Sequence, residues 1–122
     1  MKKYDPGDIV FVSKYEYDNG KEGNNHLFVI IDDDHNLVPA EYFGMIVSSH
    51  REKLKYKTNA KLDKSLQNGL NVDSIVKCDS IYQIPAKNIL FKIGQVDVDD
   101  YMKFMEIYNE VLDELSKKLQ DA

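Results

Sequence analysis

Cysteine is all but missing from this chain. Cys78 stands alone among 122 residues, which excludes an internal disulfide and a thiolate-cluster zinc site. Long apolar runs are missing too. The longest, Leu27 to Ile31, has five residues where a membrane-spanning helix needs about twenty, so no membrane span is expected. No apolar stretch follows the opening Met-Lys-Lys, so a signal peptide is not expected and the chain reads as a soluble cytoplasmic protein. The sequence holds no glycine-rich phosphate loop, no nucleophile elbow and no Cys–His pair. Repeats, low-complexity tracts and domain linkers are absent as well, which leaves one domain spanning residues 1–122.

What remains is ordinary globular composition, 43% apolar and 30% charged, enough to argue against wholesale disorder. The net charge of −5 conceals an asymmetry. Residues 51–64 hold six cations against two anions, a segment of +4, while the rest holds ten cations against nineteen anions, or −9. A local basic patch on an acidic body can still meet phosphate. A solvated lysine-rich loop explains the same residues, and charge alone favours that reading.

The elements follow from period and punctuation. Pro6-Gly7-Asp8 is turn chemistry, and Ile9 to Val12 opens a strand running to about Tyr15. Residues 17–25, with two glycines and three asparagines, read as an exposed loop. Leu27 to Ile31 is apolar on both faces and hence a central strand, and a third strand lies around Tyr42 to Val47. The basic segment 51–72 reads as a long loop with a helical turn near Ala60 to Leu66. Residues 73–84 read as one strand, with Val76, Cys78, Tyr82 and Ile84 on one face and Ile75 and Ile81 on the other. A short strand, Leu90 to Ile93, stops at Gly94. Asp97 suits an N-cap, and Tyr101, Phe104, Met105, Tyr108, Val111, Leu112, Leu115 and Leu119 form one helical stripe, expected to pack on the sheet. The expected fold is mainly β (α+β): about five strands and one long C-terminal amphipathic helix.

Few residues carry chemistry. His26, His35 and His50 lie on separate elements without metal-ligand spacing, and Asp32-Asp33-Asp34 reads as a solvated turn, so no metal site is expected. His26 opens the central strand, and Ser48-Ser49-His50 closes the next. If these strands pair antiparallel, the imidazoles and hydroxyls converge. Two histidines and a hydroxyl can act on an RNA phosphodiester, one imidazole taking the 2′-hydroxyl proton and the other protonating the leaving oxygen. Surface histidines at strand ends are the alternative, and spacing alone favours it.

The order of motifs resembles the MazF/PemK family of toxin–antitoxin toxins. Gly7-Asp8-Ile9-Val10-Phe11-Val12 is similar to that family's first strand, and Met45-Ile46-Val47-Ser48-Ser49 to the strand ending in its active-site Thr or Ser. The run from Asp73 to Ile81 resembles its Asp-Ser-hydrophobic strand, and Lys92-Ile93-Gly94-Gln95-Val96 its closing segment. The likeness covers nearly the whole chain and departs at two arginines. His26-Leu27 stands where the family has Arg-Pro, and Tyr82 where it has the Arg of Gln-Ile-Arg. Histidine can move a proton near neutrality, but it lacks arginine's permanent fork onto phosphate.

The resemblance implies an SH3-like β-barrel that forms a homodimer, pairs with a cognate antitoxin and cuts single-stranded RNA without metal or cofactor. The products would be a 2′,3′-cyclic phosphate and a 5′-hydroxyl. It assigns His26 as the acid/base group, Ser48 and Ser49 as transition-state donors and His50 as a phosphate partner. Arg51, Lys53, Lys55, Lys57 and Tyr82 would meet the RNA. The missing arginines leave a second expectation open: a degenerate barrel acting as a non-enzymatic RNA- or protein-binding regulator.

Overall fold

The computed structural model of the chain describes residues 3–17 and 19–121. Seven strands follow in order: β1 (Asp8–Glu16), β2 (Glu22–Asp33), β3 (Glu41–Ser48), β4 (Asn59–Leu62), β5 (Ser74–Lys77), β6 (Tyr82–Pro85) and β7 (Ile89–Gln95). Helix α1 (Val98–Gln120) closes the chain. All pairings are antiparallel, in the order β4-β5-β3-β2-β1-β7. On the edge away from β2, β3 serves two partners, β6 along Glu41–Gly44 and β5 along Val47 and Ser48. The result is a curled, barrel-like sheet that does not close.

The alternation of side chains along the strands builds two cores. Ile9, Val29, Met45, Val47 and Val76 bury one face under Phe104 of α1. Val10, Val12, Phe28, Ile30, Ile46 and Ile84 fill the other. Helix α1 begins where its cap chemistry puts it. The Asp97 carboxylate accepts the Asp100 N–H at 2.8 Å, with Asp99 and Asp100 in the first turn and Lys117 and Lys118 in the last. The first half of the stripe packs on the sheet, with the Tyr101 hydroxyl donating to the Ile31 carbonyl at 3.3 Å. The second half leaves it: Leu112 is 43% exposed and Leu119 78%.

Four sequence expectations are corrected. The sheet has seven strands, where five were expected. Segment 51–72 contains β4, so Ala60 to Leu62 is extended, and the helical turn falls at Arg51–Lys55 instead. β4 has only Ala60 and Leu62 buried around exposed Lys61, too short a pattern to stand out from a loop. Segment 73–84 is two strands, not one. The break near Asp79 moves the chain to the other core, so Val76 and Cys78 lie beneath the helix while Tyr82 and Ile84 lie on the opposite face. Finally, β2 extends back into the predicted loop 17–25, leaving only residues 17–21 between it and β1. Of that loop, Asp18 lies outside the described residues.

Candidate active site

The pairing of β2 with β3 sets Leu27 opposite Val47, which brings His26 beside Ser48 at the next step of the ladder. Both share the sheet face of Phe28 and Ile46, since paired residues of an antiparallel ladder point the same way. A cleft of about 340 Å³ lies at this end of the two strands, bordered by His26, Ser48, Ser49 and His50 together with Leu27 and Val47 of the other sheet face. The antiparallel pairing on which convergence depended is present, and the four residues border one cleft.

His26 is half-buried with its ring edge-on to Tyr15 at 6.1 Å and to Phe28 at 6.2 Å between centroids. Tyr15 owes its position to Gly23, its partner across β1 and β2, since a Cβ at residue 23 would collide with the Tyr15 ring. Burial pushes the His26 pKa below the ordinary 6.5, and the charges of Lys77 and His50 push the same way. A backbone bond to Leu27 partly offsets them. Nδ1 lies 3.1 Å from the Leu27 nitrogen and 3.4 Å from its carbonyl oxygen. It therefore accepts from the amide in one tautomer and donates to the carbonyl in the other, or in the cation. Neutral at pH 7 and able to hold either tautomer, this ring suits proton transfer.

Ser48 is buried, and its Oγ accepts the His50 N–H at 3.2 Å, which leaves the hydroxyl proton free to donate. Ser49 and His50 are exposed, and His50 Nδ1 lies 3.3 Å from Glu52. The basic segment is placed differently. Arg51 binds Asp63 at 2.8 Å and the Ser74 carbonyl at 3.1 Å, a contact that holds the Asp63 carboxyl below its usual pKa. Lys61 also reaches Asp63, at 3.4 Å, and Lys57 lies 3.7 Å from Glu114 of α1. Lys55 sits over the Tyr56 ring at 5.3 Å, and Lys53 makes no ion pair among the described residues. Much of the +4 patch is thus engaged within the fold.

A sequence profile described as "PemK-like, MazF-like toxin of type II toxin-antitoxin system" matches residues 5–119. The chain belongs to this family of toxins. Among solved structures it is similar to the Mycobacterium tuberculosis toxin MazF-mt6, with a TM-score of 0.61 at 18% identity, over 84% of this chain and 95% of that one. At that identity the likeness speaks for the fold. No curated protein matches the chain by sequence. Membership of a two-component system implies an antitoxin partner. Among the described residues no helix is long and apolar enough to cross a membrane.

For this PemK-like toxin, sequence reasoning missed Lys77. Its charge acts on His26, and it sits on β5 next to β3, sharing the face of Ile75 and Ser48. The β alternation gave its face, but only the strand order β5-β3-β2 brings that face toward His26. Tyr82 does not line the His26 cleft. Its ring meets Tyr15 at 5.7 Å and Phe28 at 5.4 Å, two ring contacts from His26, beside a separate cavity. The Asp32–Asp33–His35 cluster lies at the opposite end of β2 from His26, with His35 Nε2 3.1 Å from Asp32.

Proposed function

We propose that this PemK-like toxin is a sequence-selective endoribonuclease that cuts single-stranded RNA by internal transesterification. The observation that carries the reading is the cleft bordered by a half-buried histidine of lowered pKa, a buried serine and a second histidine, with the charge of Lys77 acting on the first histidine from β5. These are the groups that the reaction needs. His26 takes the 2′-hydroxyl proton at Nε2 while Nδ1–H faces the Leu27 carbonyl, a contact that persists in the cation. The 2′-oxygen attacks phosphorus, and the bond from phosphorus to the 5′-oxygen breaks. His50 delivers a proton to that leaving oxygen. Ser48 and Ser49 donate to the phosphorane oxygens, and Lys77 supplies positive charge where the family's arginine is missing. Imidazole, hydroxyl and ammonium groups suffice, so the scheme calls for no metal.

The family reading adds a homodimer as the working unit and the antitoxin as the inhibitor of the groove. Lys53 and Lys55 remain as the phosphate contacts of the basic segment, whereas Arg51 and Lys57 act through the shape of that segment. The test is incubation of the purified protein with a long unstructured RNA in EDTA, with product ends mapped. Discrete fragments ending in 2′,3′-cyclic phosphate are expected. Intact RNA across substrates covering every short sequence would favour the binding-protein reading.

A further inference from the structure

The cleft beside His26 has a second wall that the reaction scheme leaves unused. Phe11, Leu27, Leu70 and Val72 form its apolar side, and Asn25 and Asn71 border the same space. The half-buried Phe11 ring lies parallel to exposed Phe91, its partner across β1 and β7, with centroids 5.2 Å apart and planes 11° apart. Val72, Asn25 and Asn71 are exposed, so an occupant can reach them. Neither asparagine amide makes a hydrogen bond among the described residues. The segment that carries Leu70, Asn71 and Val72 is clamped to β7. The Gln95 N–H donates to the Gln67 carbonyl at 3.1 Å. Buried Asn68 accepts from the Ser65 and Leu70 N–H groups at 3.0 Å and donates to the Asp63 carbonyl at 2.8 Å. Gly69, at φ +72°, lies so close to the Ile93 carbonyl that a Cβ would collide with it, and a Cβ on Gly94 would meet Gln67 and Asn68. The wall is therefore held rigidly at the cleft.

We propose that this wall holds one base of the RNA strand beside the scissile phosphate, its ring against Phe11 and Val72 and its edge read by Asn25 and Asn71. The proposal rests on the ribonuclease reading and names what would select the point of cutting. Unstacked bases of a single strand lie on aromatic and apolar side chains and offer their edges to hydrogen-bonding groups. An asparagine amide presents a donor beside an acceptor, the pattern that a base edge can match with two bonds. Charge points to the same occupant. No Asp or Glu lines the cleft, although the chain carries 21 of them, so a polyanion meets no carboxylate there. The wall also runs straight into the groups that would handle the phosphate, His26, Ser48 and His50. A second copy of the chain would cover the apolar side, but it would make no use of that continuity. Phosphate handling and base reading thus divide between the two sides of one cleft.

The test is the binding of short 2′-O-methyl oligonucleotides to the full chain, followed by fluorescence anisotropy in EDTA. Such strands lack the attacking hydroxyl and stay intact. The probes are homopolymers of adenine, cytosine, guanine or uracil, and an abasic strand of the same length and backbone. At least one homopolymer should bind about tenfold more tightly than the abasic strand. Asn71→Ala, Phe11→Leu and Asn25→Gly should each narrow that gap by about threefold or more and leave the abasic affinity unchanged. Asn25 has φ +53°, a conformation that suits glycine, so its variant keeps the fold. Equal affinity for homopolymers and abasic strand, or a preference untouched by the three variants, would overturn the proposal. So would variants that keep the preference but change the sedimentation coefficient, because the wall would then be a contact between copies of the chain. Cleavage of a long RNA without base preference would sink this proposal alone. Base preference without cleavage would sink the ribonuclease reading alone.

Discussion

Ser48 Oγ accepts the backbone N–H of His50 at 3.2 Å, so the end of β3 turns back on its own last side chain. The bond fixes the serine rotamer at the cleft and holds the start of the following turn, where the His50 ring is carried. Ser48→Ala removes the acceptor and the donor together. Its effect on cleavage should be a fall in kcat of about 10²–10³, the usual loss of one transition-state donor, with KM little changed. Single-turnover rates of the two proteins on one oligonucleotide check this.

Lys77 should matter through charge. Lys77→Met keeps the length of the side chain and removes the cation, which should lower the RNA-cleavage rate and raise the His26 pKa, because the lysine charge depresses it. The His26 ring protons, followed by NMR against pH, report the shift. An unchanged titration would separate Lys77 from the site.

The lowered His26 pKa also fixes a sign for stability. At pH well above 6.5 the ring is neutral in folded and unfolded chains and contributes nothing. As pH falls below 6.5 the unfolded chain takes up a proton that the folded one resists, so stability drops until the lower folded pKa is passed. His26→Asn should therefore flatten the loss of thermal midpoint between neutral and mildly acidic pH. Thermal scans of both proteins across that window measure it.

Much of the frame was legible in the sequence, and the reason differs element by element. Ile9 to Val12, Leu27 to Ile31 and Met45 to Val47 are apolar enough to declare themselves as strands, and Asp97 with its acidic first turn marks the start of α1. The nearness of His26 to Ser48 was legible because two adjacent antiparallel strands fix it locally. β4 was not, because two buried residues make no period. Nor was the change of core between Cys78 and Tyr82, because a turn of polar residues hides inside a strand-like pattern. Lys77 was out of reach for a different reason. What it faces depends on strands distant in sequence, and no local pattern encodes that.

Two buried residues test the helix-side core. Phe104 is fully buried, the only buried side chain of α1, so Phe104→Ala should cost about 3–5 kcal/mol and lower the denaturation midpoint accordingly. Cys78 is also fully buried, and its thiol is pushed up to about 12 chiefly by burial. It should resist iodoacetamide at pH 8 in the native chain and react fully once the chain is unfolded, as intact-mass measurement would show.

The most direct test of the account compares wild type with His26→Ala on one unstructured RNA in EDTA, with product ends mapped and thermal midpoints measured in parallel. The account predicts cyclic-phosphate fragments from the wild type, none from the variant, and nearly equal midpoints. Equal cleavage by a well-folded His26→Ala would contradict it, because the proton would then be moved by some other group.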